Sequence, residues 1–315
     1  MKNFFFILLF AATAAAAQQW PNKPIRWVVP YPPGGSVEII SRIMQNRMLE
    51  GLGQPIVIET RGGAGGSVGT EVVARSAPDG YTFLFTLSSH TINPLLYKLS
   101  YDIERDFAPV SLIVSIPQLI AANSAVPIKT MADLVAAAKA QPGKLSFASI
   151  GNGTPAHIAA ELLQLKTGIE LLHIPYKGGG PAVIALVGGQ CSVGFATTPS
   201  VISHVKSGRL RGLAVTSAKR SPSTPELPTV SEAGMAGYES STWYGFLVPA
   251  RTSGDIVARL HAESVKLLKQ ADVRERIESA GFETIGNAPE EFAAYIRSEI
   301  EKWSKVVKAS GARAD

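Results

Sequence analysis

One pattern occurs twice along this chain of 315 residues: an apolar strand, a glycine-rich loop and a helix with apolar residues along one side. The first copy gives predicted strands at 25–29, 55–59 and 81–87, with helices at about 39–52 and 70–76. The second gives strands at 145–149, 170–176 and 191–196, with helices at about 155–166 and 181–187. Strands that alternate with helices indicate a mostly parallel sheet flanked by helices. The sequence therefore predicts an α/β fold built from two such units.

Two extended segments are predicted to carry the chain between the units. They are residues 117–127 and, on the return, 242–250, each bounded by proline or turn residues. Helices predicted at about 253–270, 272–280 and 289–310 follow the return and are expected to pack back on the first unit. We therefore expect two domains, with residues 18–120 and 243–315 in the first and 121–242 in the second. Two crossing strands would form a hinge that permits closure around a ligand.

The first 17 residues, MKNFFFILLFAATAAAA, have the features of a cleavable secretory signal peptide: Lys2, a short apolar run and small residues before the cut. The apolar run is too short to span a bilayer, and no later stretch reaches the ~18 uninterrupted apolar residues of a membrane helix. Cys191 is the only cysteine, which argues against a disulfide framework and a lipidated cysteine at the cut. We expect a soluble protein in the periplasm of a Gram-negative cell.

Charge and motif content argue against nucleic acid and cofactors. The formal net charge is +5, but no run of four or more Lys or Arg occurs, so no nucleic-acid partner is expected. Residues 151–156 imitate a dinucleotide-binding motif, yet the acid expected about twenty positions later is missing, because residues 172–176 read LHIPY. No H-E-x-x-H occurs, and no metal-ligand spacing links the five histidines, His90, His157, His173, His204 and His261. We expect no cofactor, no metal and no enzymatic activity.

The loop after the first strand, PYPPGGS at 30–36, is typical of a backbone that approaches a ligand closely. Gly34 and Gly35 carry no side chain to block that approach, while the prolines restrict the loop and lower the ordering cost of binding. Ser36 is predicted as a helix N-cap or a hydroxyl donor. Glu38 falls in the first helical turn, where an acid complements the helix dipole; a direct contact with a ligand amine or water is the alternative.

Two loops of the second unit repeat this arrangement ahead of helices. Thr154 and Pro155 are predicted as N-cap and first helical residue, which leaves the next amides open to a carboxylate. The other loop offers Tyr176, Lys177 and Gly178 to Gly180 before a helix. Ligands of open α/β sheets bind beyond the carboxyl ends of the strands, where helix N-termini favour anions.

Three other residues have separate expectations: a structural hydrogen bond for His157, a loop position from which His90 could contact a ligand, and a buried strand for Cys191.

Six long segments occur in a fixed order between residues 20 and 307: PNKPIRWVVPYPPGGSVEIISR, GQPIVIETRGGAGGSVGTEVVARSAPDGYT, SIGNGTPAHIAAELL, HIPYKGGGPAVIALVGG, GRLRGLAVTSAKR and LPTVSEAGMAGYE. Together they resemble the Bug-type solute receptors of tripartite tricarboxylate transporters. The resemblance implies a two-domain periplasmic binding protein of the Venus flytrap type. It also implies a small carboxylate ligand, held largely by backbone N–H groups and bridging waters, and delivery of that ligand to membrane permease subunits.

By position in these motifs, the resemblance implies that the ligand is contacted from five segments. The implied site residues are Tyr31, Pro33, Gly34, Gly35 and Ser36; Ser88 and Ser89; Ser149, Gly151, Asn152, Gly153 and Thr154; Tyr176, Lys177, Gly178 and Gly179; and Thr197 and Thr198.

The chain departs from the family pattern at Glu38, where Asp is usual, and at residues 59–63, which read ETRGG where Glu-Asn-Arg-Pro-Gly is usual. The ligand class stays open among amino acids, dicarboxylates, tricarboxylates and aromatic acids, and a monomer is expected. Two other functions also stay open. One is a ligand-sensing module for a signalling partner. The other is an exported α/β hydrolase, which would need a nucleophile beside a base, or a metal.

Overall fold

A computed structural model describes residues 20–31, 33, 36–176 and 178–310. The predicted signal peptide at 1–17 and the site candidates Gly34, Gly35 and Lys177 lie outside the described residues. The strands are β1 (Ile25–Val29), β2 (Ile56–Thr60), β3 (Thr82–Leu87), β4 (Phe107–Asn123), β5 (Ser146–Ser149), β6 (Leu172–Pro175), β7 (Val193–Thr197), β8 (Leu210–Val215), β9 (Ser241–Pro249) and β10 (Glu283–Thr284). The helices are α1 (Ser36–Leu52), α2 (Ser67–Ala74), α3 (Ser89–Leu96), α4 (Met131–Ala140), α5 (Pro155–Thr167), α6 (Gly179–Val187), α7 (Thr198–Lys206), α8 (Gly254–Leu268), α9 (Ala271–Ser279) and α10 (Pro289–Ser310). Within this described part, none of the helices combines the length and the apolar composition needed to cross a membrane.

The strands form one mixed sheet in the order β2-β1-β3-β9-β4-β7-β5-β6, with β8 and β10 also paired to β4. β1 is parallel to β2 and β3, and β5 is parallel to β6 and β7, as the repeated pattern predicts. In the middle of the sheet, β9 is antiparallel to β3, and β4 is antiparallel to β9 and β7. The predicted α/β fold is confirmed, while the limits of the two domains stay a prediction.

β4 joins the two halves of this sheet. Residues 107–117 of β4 pair with β9, and residues 118–122 pair with β7, so one strand passes from one half into the other. We call the half that contains β1, β2, β3 and β9 the first half, and the half that contains β5, β6, β7 and β8 the second half. The predicted crossing at 117–127 therefore contains the end of β4, and the predicted return at 242–250 is β9, inside the first half.

The carboxyl ends of the two sets of parallel strands face each other. β3 runs in the same direction as β4 and ends at Leu87. Leu87 pairs with Tyr244 of β9, and Tyr244 in turn pairs with Val114 of β4, so β3 ends at the level of Val114. β7 runs in the opposite direction and ends at Thr197, which pairs with Gln118. Four residues of β4 separate these levels, which corresponds to about 13 Å at ~3.3 Å per residue. The loops that leave the two sets of strands therefore meet over the middle of β4.

The core of the first half is built around aromatic rings. The ring of Trp27 lies 4.8 Å from that of Phe246, centroid to centroid, in an edge-on arrangement. α1 buries one side against this group, with apolar residues spaced three and four apart: Val37, Ile40, Met44 and Met48. Each large apolar side chain buried in this way contributes about 1.5–3 kcal/mol. This packing fixes the start of α1.

α10 packs on both halves. Its first turns place Phe292 and Ile296 in an apolar cluster with Trp243 of the first half. Its last turns place Trp303 and Val306 in the core of the second half, beside Ile158 of α5. As predicted, α8, α9 and the start of α10 pack on the first half. The remainder of α10 covers the second half instead.

Candidate functional site

The loop after β1 is fixed to the end of β3 by one phenol. The hydroxyl of Tyr31 lies 2.7 Å from Oγ of Ser89 and 2.9 Å from Oγ1 of Thr86, and it accepts a 3.4 Å hydrogen bond from the amide of Leu87. Burial raises the pKa of Tyr31, so the phenol is neutral at ordinary pH. Tyr31, predicted as a ligand contact, is therefore already bonded to three groups of the protein.

The loop after β2 lies against the same phenol. The carbonyl of Gly65 accepts hydrogen bonds from Oγ of Ser89 at 3.1 Å and from Nδ2 of Asn93 at 2.9 Å. Gly66 has a positive φ of 99°, and a Cβ there would lie only 2.9 Å from the ring of Tyr31. The loop after β2 is not among the predicted site segments. Its glycines do follow directly after a strand, and this same pattern identified the other loops as site candidates.

The same loop contains a hydrolase-like spacing. Residues 65–69 read GGSVG, which matches G-x-S-x-G. Oγ of Ser67 donates to the carbonyl of Ala64 at 2.8 Å and lies 3.4 Å from Nδ2 of Asn93. Ser67 also bonds the phenol of Tyr101, so within the described residues its partners are a carbonyl, an amide and a phenol rather than a histidine base. Ser67 is therefore not paired with a base in the way that the hydrolase alternative requires of its nucleophile.

The start of α1 is bonded to the middle of the sheet. Ser36 is the first residue of α1 rather than a cap outside it, and its Oγ lies 2.8 Å from the hydroxyl of Tyr244 on β9. Burial raises the pKa of Tyr244 as well. Glu38 forms an ion pair with Arg42 at 3.1 Å on the helix surface, in line with the first of its two interpretations. Pro33 is exposed beside this helix start.

β3 leads into a helix that the sequence analysis did not predict. Ser88 precedes α3 and donates its amide to the carbonyl of Trp243 at 3.0 Å, while Ser89 is the first residue of the helix. His90 is buried in α3 with the edge of its ring against Phe107, 5.3 Å between centroids. Burial lowers the pKa of His90 to about 3, so the imidazole is neutral. The expectation that His90 contacts a ligand from a loop is wrong, because it is a core residue.

In the second half, the loop after β5 is held by its own hydrogen bonds. Thr154 caps α5 as predicted: its Oγ1 accepts the amide of His157 at 3.4 Å and donates to the carbonyl of Gly151 at 2.7 Å. Oγ of Ser149 accepts the amide of Gly151 at 3.2 Å. The amide of Gly153 donates to Nδ1 of His157 at 3.0 Å, which confirms the predicted structural hydrogen bond of that histidine.

These bonds change the expected set of ligand donors. The amides of Gly151 and Gly153 are engaged inside the loop, and among the amides after Pro155, which are expected to be open to a carboxylate, that of His157 is bonded to Thr154. Asn152 lies between them, half-buried. Gly153 has a φ of 67°, and a Cβ there would lie 2.4 Å from Cδ1 of Leu96 on α3. The loop of the second half therefore touches a helix that follows β3.

The helix after β6 begins with glycines that leave its amides open. The amide of Tyr176 donates to the carbonyl of Ser149 at 3.0 Å, which joins this segment to the loop after β5. Gly178 has a φ of 107°, and a Cβ on Gly178 or Gly179 would meet nothing within 4 Å. α6 starts at Gly179, and the first amides of a helix have no partner within it. Within the described part of the chain, nothing lies close enough to Gly178 or Gly179 to block the approach of an anion to this terminus.

Cys191 lies just before β7, buried as predicted but outside the strand. Its Sγ is 3.5 Å from the hydroxyl of Tyr176, and this hydrogen bond raises the pKa of Tyr176 to about 12. The phenol of Tyr176 therefore stays protonated and is directed at the thiol, which gives this tyrosine a partner inside the second half.

The two predicted threonines lie where β7 passes into α7. The carbonyl of Thr197 accepts a 2.6 Å hydrogen bond from Oγ of Ser200. Thr198 is buried and is the first residue of α7. The start of α7 reaches the first half, since a Cβ on Gly281 would lie 2.4 Å from Cγ of Pro199. The predicted residues thus form two groups, one on each side of the middle of β4. Among the described residues, no group of three or more His, Cys, Asp or Glu is placed to hold a metal ion.

Sequence comparison identifies relatives along most of the chain. The family model described as "Tripartite tricarboxylate transporter family receptor" matches residues 40–312. The UPF0065 protein in the tcbD-tcbE intergenic region of Pseudomonas sp. (strain P51) is 40% identical over 290 residues, which cover 91% of this chain and 86% of that protein. Protein BugT of Bordetella pertussis is 36% identical over 313 residues, which cover 97% of this chain and 96% of BugT.

Solved structures share the fold. R. palustris Rpa4515, solved with adipate, is 32% identical with a TM-score of 0.83, over 94% of this chain and 100% of that chain. MatC from Rhodopseudomonas palustris, solved with bound malate, is 31% identical with a TM-score of 0.79, over 91% of this chain and 100% of that chain. The periplasmic binding protein BugD is 33% identical with a TM-score of 0.79, over 94% of this chain and 100% of that chain.

Proposed function

Because this chain belongs to the tripartite tricarboxylate transporter receptor family, we propose that it is a periplasmic receptor for a small carboxylate. The ligand binds between the two halves of the sheet and is delivered from there to a membrane permease. Export through a signal peptide at residues 1–17 accounts for its place in the periplasm. The protein acts by binding and release, without chemical change of the ligand.

The observation that carries this proposal is the arrangement of the strand ends. The carboxyl ends of β3 and β7 lie about 13 Å apart along β4 and face each other, and we place the ligand in the space between the loops that leave them. Helices α1, α3, α6 and α7 start at this space. Each helix N-terminus carries roughly half a positive charge, so the space favours an anion.

The polar groups around the space suit a carboxylate. The serine, threonine and tyrosine hydroxyls found here can donate to an oxygen without adding a charge of their own. The glycine start of α6 supplies open backbone amides. Backbone donors recognise the carboxylate and leave the remainder of the molecule to other contacts. Adipate and malate, found with two structural relatives, are dicarboxylates, and this supports a dicarboxylate as the ligand of this chain.

A binding screen tests the proposal. The mature protein is first examined by native mass spectrometry for a co-purified acid, and is then titrated by calorimetry with malate, adipate, citrate, benzoate and the neutral diamide of malate. We expect at least one acid to bind with one-to-one stoichiometry, and the diamide to bind at least tenfold more weakly, because helix N-termini favour a negative charge. A folded, empty protein that binds none of the acids would overturn the proposal.

A matched pair of variants tests the place of the site. Gly179→Val puts a side chain into open space at the start of α6, and Gly254→Val does the same at the start of α8, far from the strand ends. Neither position has a backbone conformation that strains a larger residue. We expect Gly179→Val to weaken binding of the acid by at least tenfold and Gly254→Val to leave it unchanged. Equal affinities of the two variants would contradict a site at α6.

Delivery is tested in cells. Deletion of the gene should abolish uptake of the radiolabelled acid, wild-type protein should restore it, and Gly179→Val should restore it poorly. Uptake that is unaffected by the deletion would contradict the role in transport.

A further inference from the structure

Three aromatic rings are stacked beneath the loop 150–154 of the second half. The imidazole of His173 lies 4.6 Å from the ring of Phe147 at 12°, and 4.0 Å from the imidazole of His157 at 13°, between centroids. His157 is 6% exposed, and His173, on the edge strand β6, is half-buried. His173 is thus the middle ring of a stack that joins β5, β6 and α5.

The contacts of His157 define where its proton lies. Nδ1 accepts the amide of Gly153 at 3.0 Å, so Nδ1 carries no hydrogen. The neutral ring then carries its hydrogen on Nε2, which lies 3.5 Å from Oε1 of Glu161. His157 therefore holds the end of the loop only as the neutral tautomer with hydrogen on Nε2.

His173 holds the beginning of the same loop through a serine. Its Nε2 lies 2.6 Å from Oγ of Ser149, and that Oγ also bonds the amide and the carbonyl of Gly151, at 3.2 and 3.1 Å. Each imidazole thus fixes one end of the loop, Gly151 through Ser149 and Gly153 directly.

We infer that His157 and His173 are positioning residues, which keep the loop 150–154 in the conformation that binds the ligand only while His157 is neutral. This inference rests on the proposed function. A second proton on His157 goes to Nδ1, which then faces the hydrogen of the Gly153 amide. Donor faces donor, the hydrogen bond is lost, and the loop is released from α5.

The surroundings of His157 determine how easily that proton is accepted. Glu161 of α5 attracts a positive charge, and His173 of β6 opposes it once charged itself. β5 and β7 contribute the neutral rings of Phe147 and Phe195. α10 contributes apolar side chains, and its buried acid Glu299 is already bonded to Lys302 and to Nε1 of Trp303. Protonation is thus governed by one attracting carboxylate and one repelling imidazole.

Substitution separates a positioning role from packing. Asn at position 157 offers an oxygen near the place of Nδ1 but cannot be protonated, whereas Leu fills space without an acceptor. We expect His157→Leu to weaken malate or adipate binding about tenfold at pH 7.5, and His157→Asn to stay within about twofold of wild type. As the pH is lowered, wild-type affinity should fall relative to that of His157→Asn, which cannot be protonated, a ratio in which the titration of the ligand cancels. His261→Leu, on α8, is the control and should follow wild type.

A second measurement needs no ligand. Exchange of the Gly153 amide hydrogen, followed by NMR, should be about tenfold faster in His157→Leu than in His157→Asn. After correction for intrinsic exchange, the rate in wild type should rise relative to that in His157→Asn as the pH is lowered. Equal rates and parallel pH profiles in wild type and His157→Asn would overturn the inference. Absence of malate and adipate binding in every variant would instead contradict the proposed function, and the exchange rates would still decide the inference.

His173 is tested by a variant that keeps the stack. His173→Phe retains an aromatic ring on His157 but removes the partner of Ser149, so exchange of the Gly151 amide should become several-fold faster. An unchanged rate would remove His173 from the inference.

Discussion

The hydroxyl of Tyr31 lies 2.7 Å from Oγ of Ser89, although 57 residues separate the two along the chain. The same hydroxyl lies 2.9 Å from Thr86 and accepts the amide of Leu87. One phenol thus ties the loop after β1 to the end of β3. Tyr31 is held in place before any ligand arrives, which lowers the entropy cost of ordering this residue on binding.

Removal of this hydroxyl should therefore loosen the loop. Tyr31→Phe leaves the buried Leu87 amide and two hydroxyls short of a partner, and we expect the free energy of unfolding to fall by about 1–3 kcal/mol. Urea unfolding at pH 7 measures it. The control is Tyr97→Phe, which removes a hydroxyl that makes no hydrogen bond within the described part of the chain and should change stability by less than about 0.5 kcal/mol. Equal effects of the two substitutions would contradict the anchoring role of Tyr31.

Contact between Gly153 and Leu96 predicts a second difference. Gly153 and Gly53 have nearly the same φ, 67° and 70°, but a Cβ meets Leu96 at 2.4 Å in the first case and nothing within 4 Å in the second. Gly53→Ala should cost about 1–2 kcal/mol through its backbone alone. Gly153→Ala should cost about 1–3 kcal/mol more, because Leu96 must move. Addition of Leu96→Ala should recover part of this extra loss in a double-mutant cycle; strictly additive losses would show that the two residues do not touch.

The buried imidazole of His90 predicts a dependence of stability on pH. Burial lowers the pKa of His90 to about 3, whereas the unfolded chain has the ordinary value of 6.5. The unfolded state therefore binds more protons between these values, and the free energy of unfolding decreases as the pH falls through this range. Substitution by Phe removes this contribution.

Relative to that of His90→Phe, the free energy of unfolding of wild type should fall by about 2–3 kcal/mol between pH 7.5 and 4.5. Urea unfolding at several pH values measures this difference. Neither ring nitrogen of His90 has a hydrogen-bond partner among the described residues, so the substitution breaks no such bond. Stability curves that stay parallel over this range would show that His90 is protonated as easily in the native state as in the unfolded one.

The end of α10 should contribute strongly to stability. Trp303 is 2% exposed and lies in the core of the second half, and we expect Trp303→Ala to lower the free energy of unfolding by about 3–5 kcal/mol. Lys305→Ala, on the same helix, removes an exposed ion pair with Glu301 and should change it by less than about 1 kcal/mol. Thermal or urea unfolding of the two variants tests this. A small effect at Trp303 would mean that α10 is not part of that core.

Sequence patterns predicted the elements whose own residues specify them. β1 was predicted at 25–29 and α10 at 289–310, as they occur, because the first is a continuous apolar run and the second starts at a proline and keeps helical spacing throughout. α5 starts after the predicted cap Thr154 and ends before Gly168, which has a positive φ of 65°.

Elements that depend on their surroundings were missed. α3 contains Ser, Thr, Asn and Pro94, which are weak helix formers, and it is stabilised by burial of Ile92 and Asn93 in the folded protein. α4 did carry a readable signal, the capping box of Thr130 and Asp133.

The partners of the site residues could not be predicted from local patterns. Loops and glycines were identified because their chemistry is local, but Ser36 bonds Tyr244 more than 200 positions away, and only the order of the strands brings them together. Local patterns also give no sign that the amides of Gly151 and Gly153 are bonded inside their own loop. Whether an amide is open depends on which side chain folds over it, and here Ser149 and His157 do so.

The reach of α10 over both halves also sets the order in which the fold can be completed. The ribosome makes β5, β6 and β7 well before α10, so the apolar surface that Trp303 and Val306 cover stays open until α10 has been synthesised. A nascent chain that lacks only the last turns of α10 is thus still without part of its interior, and a native second half appears only after that helix has been added.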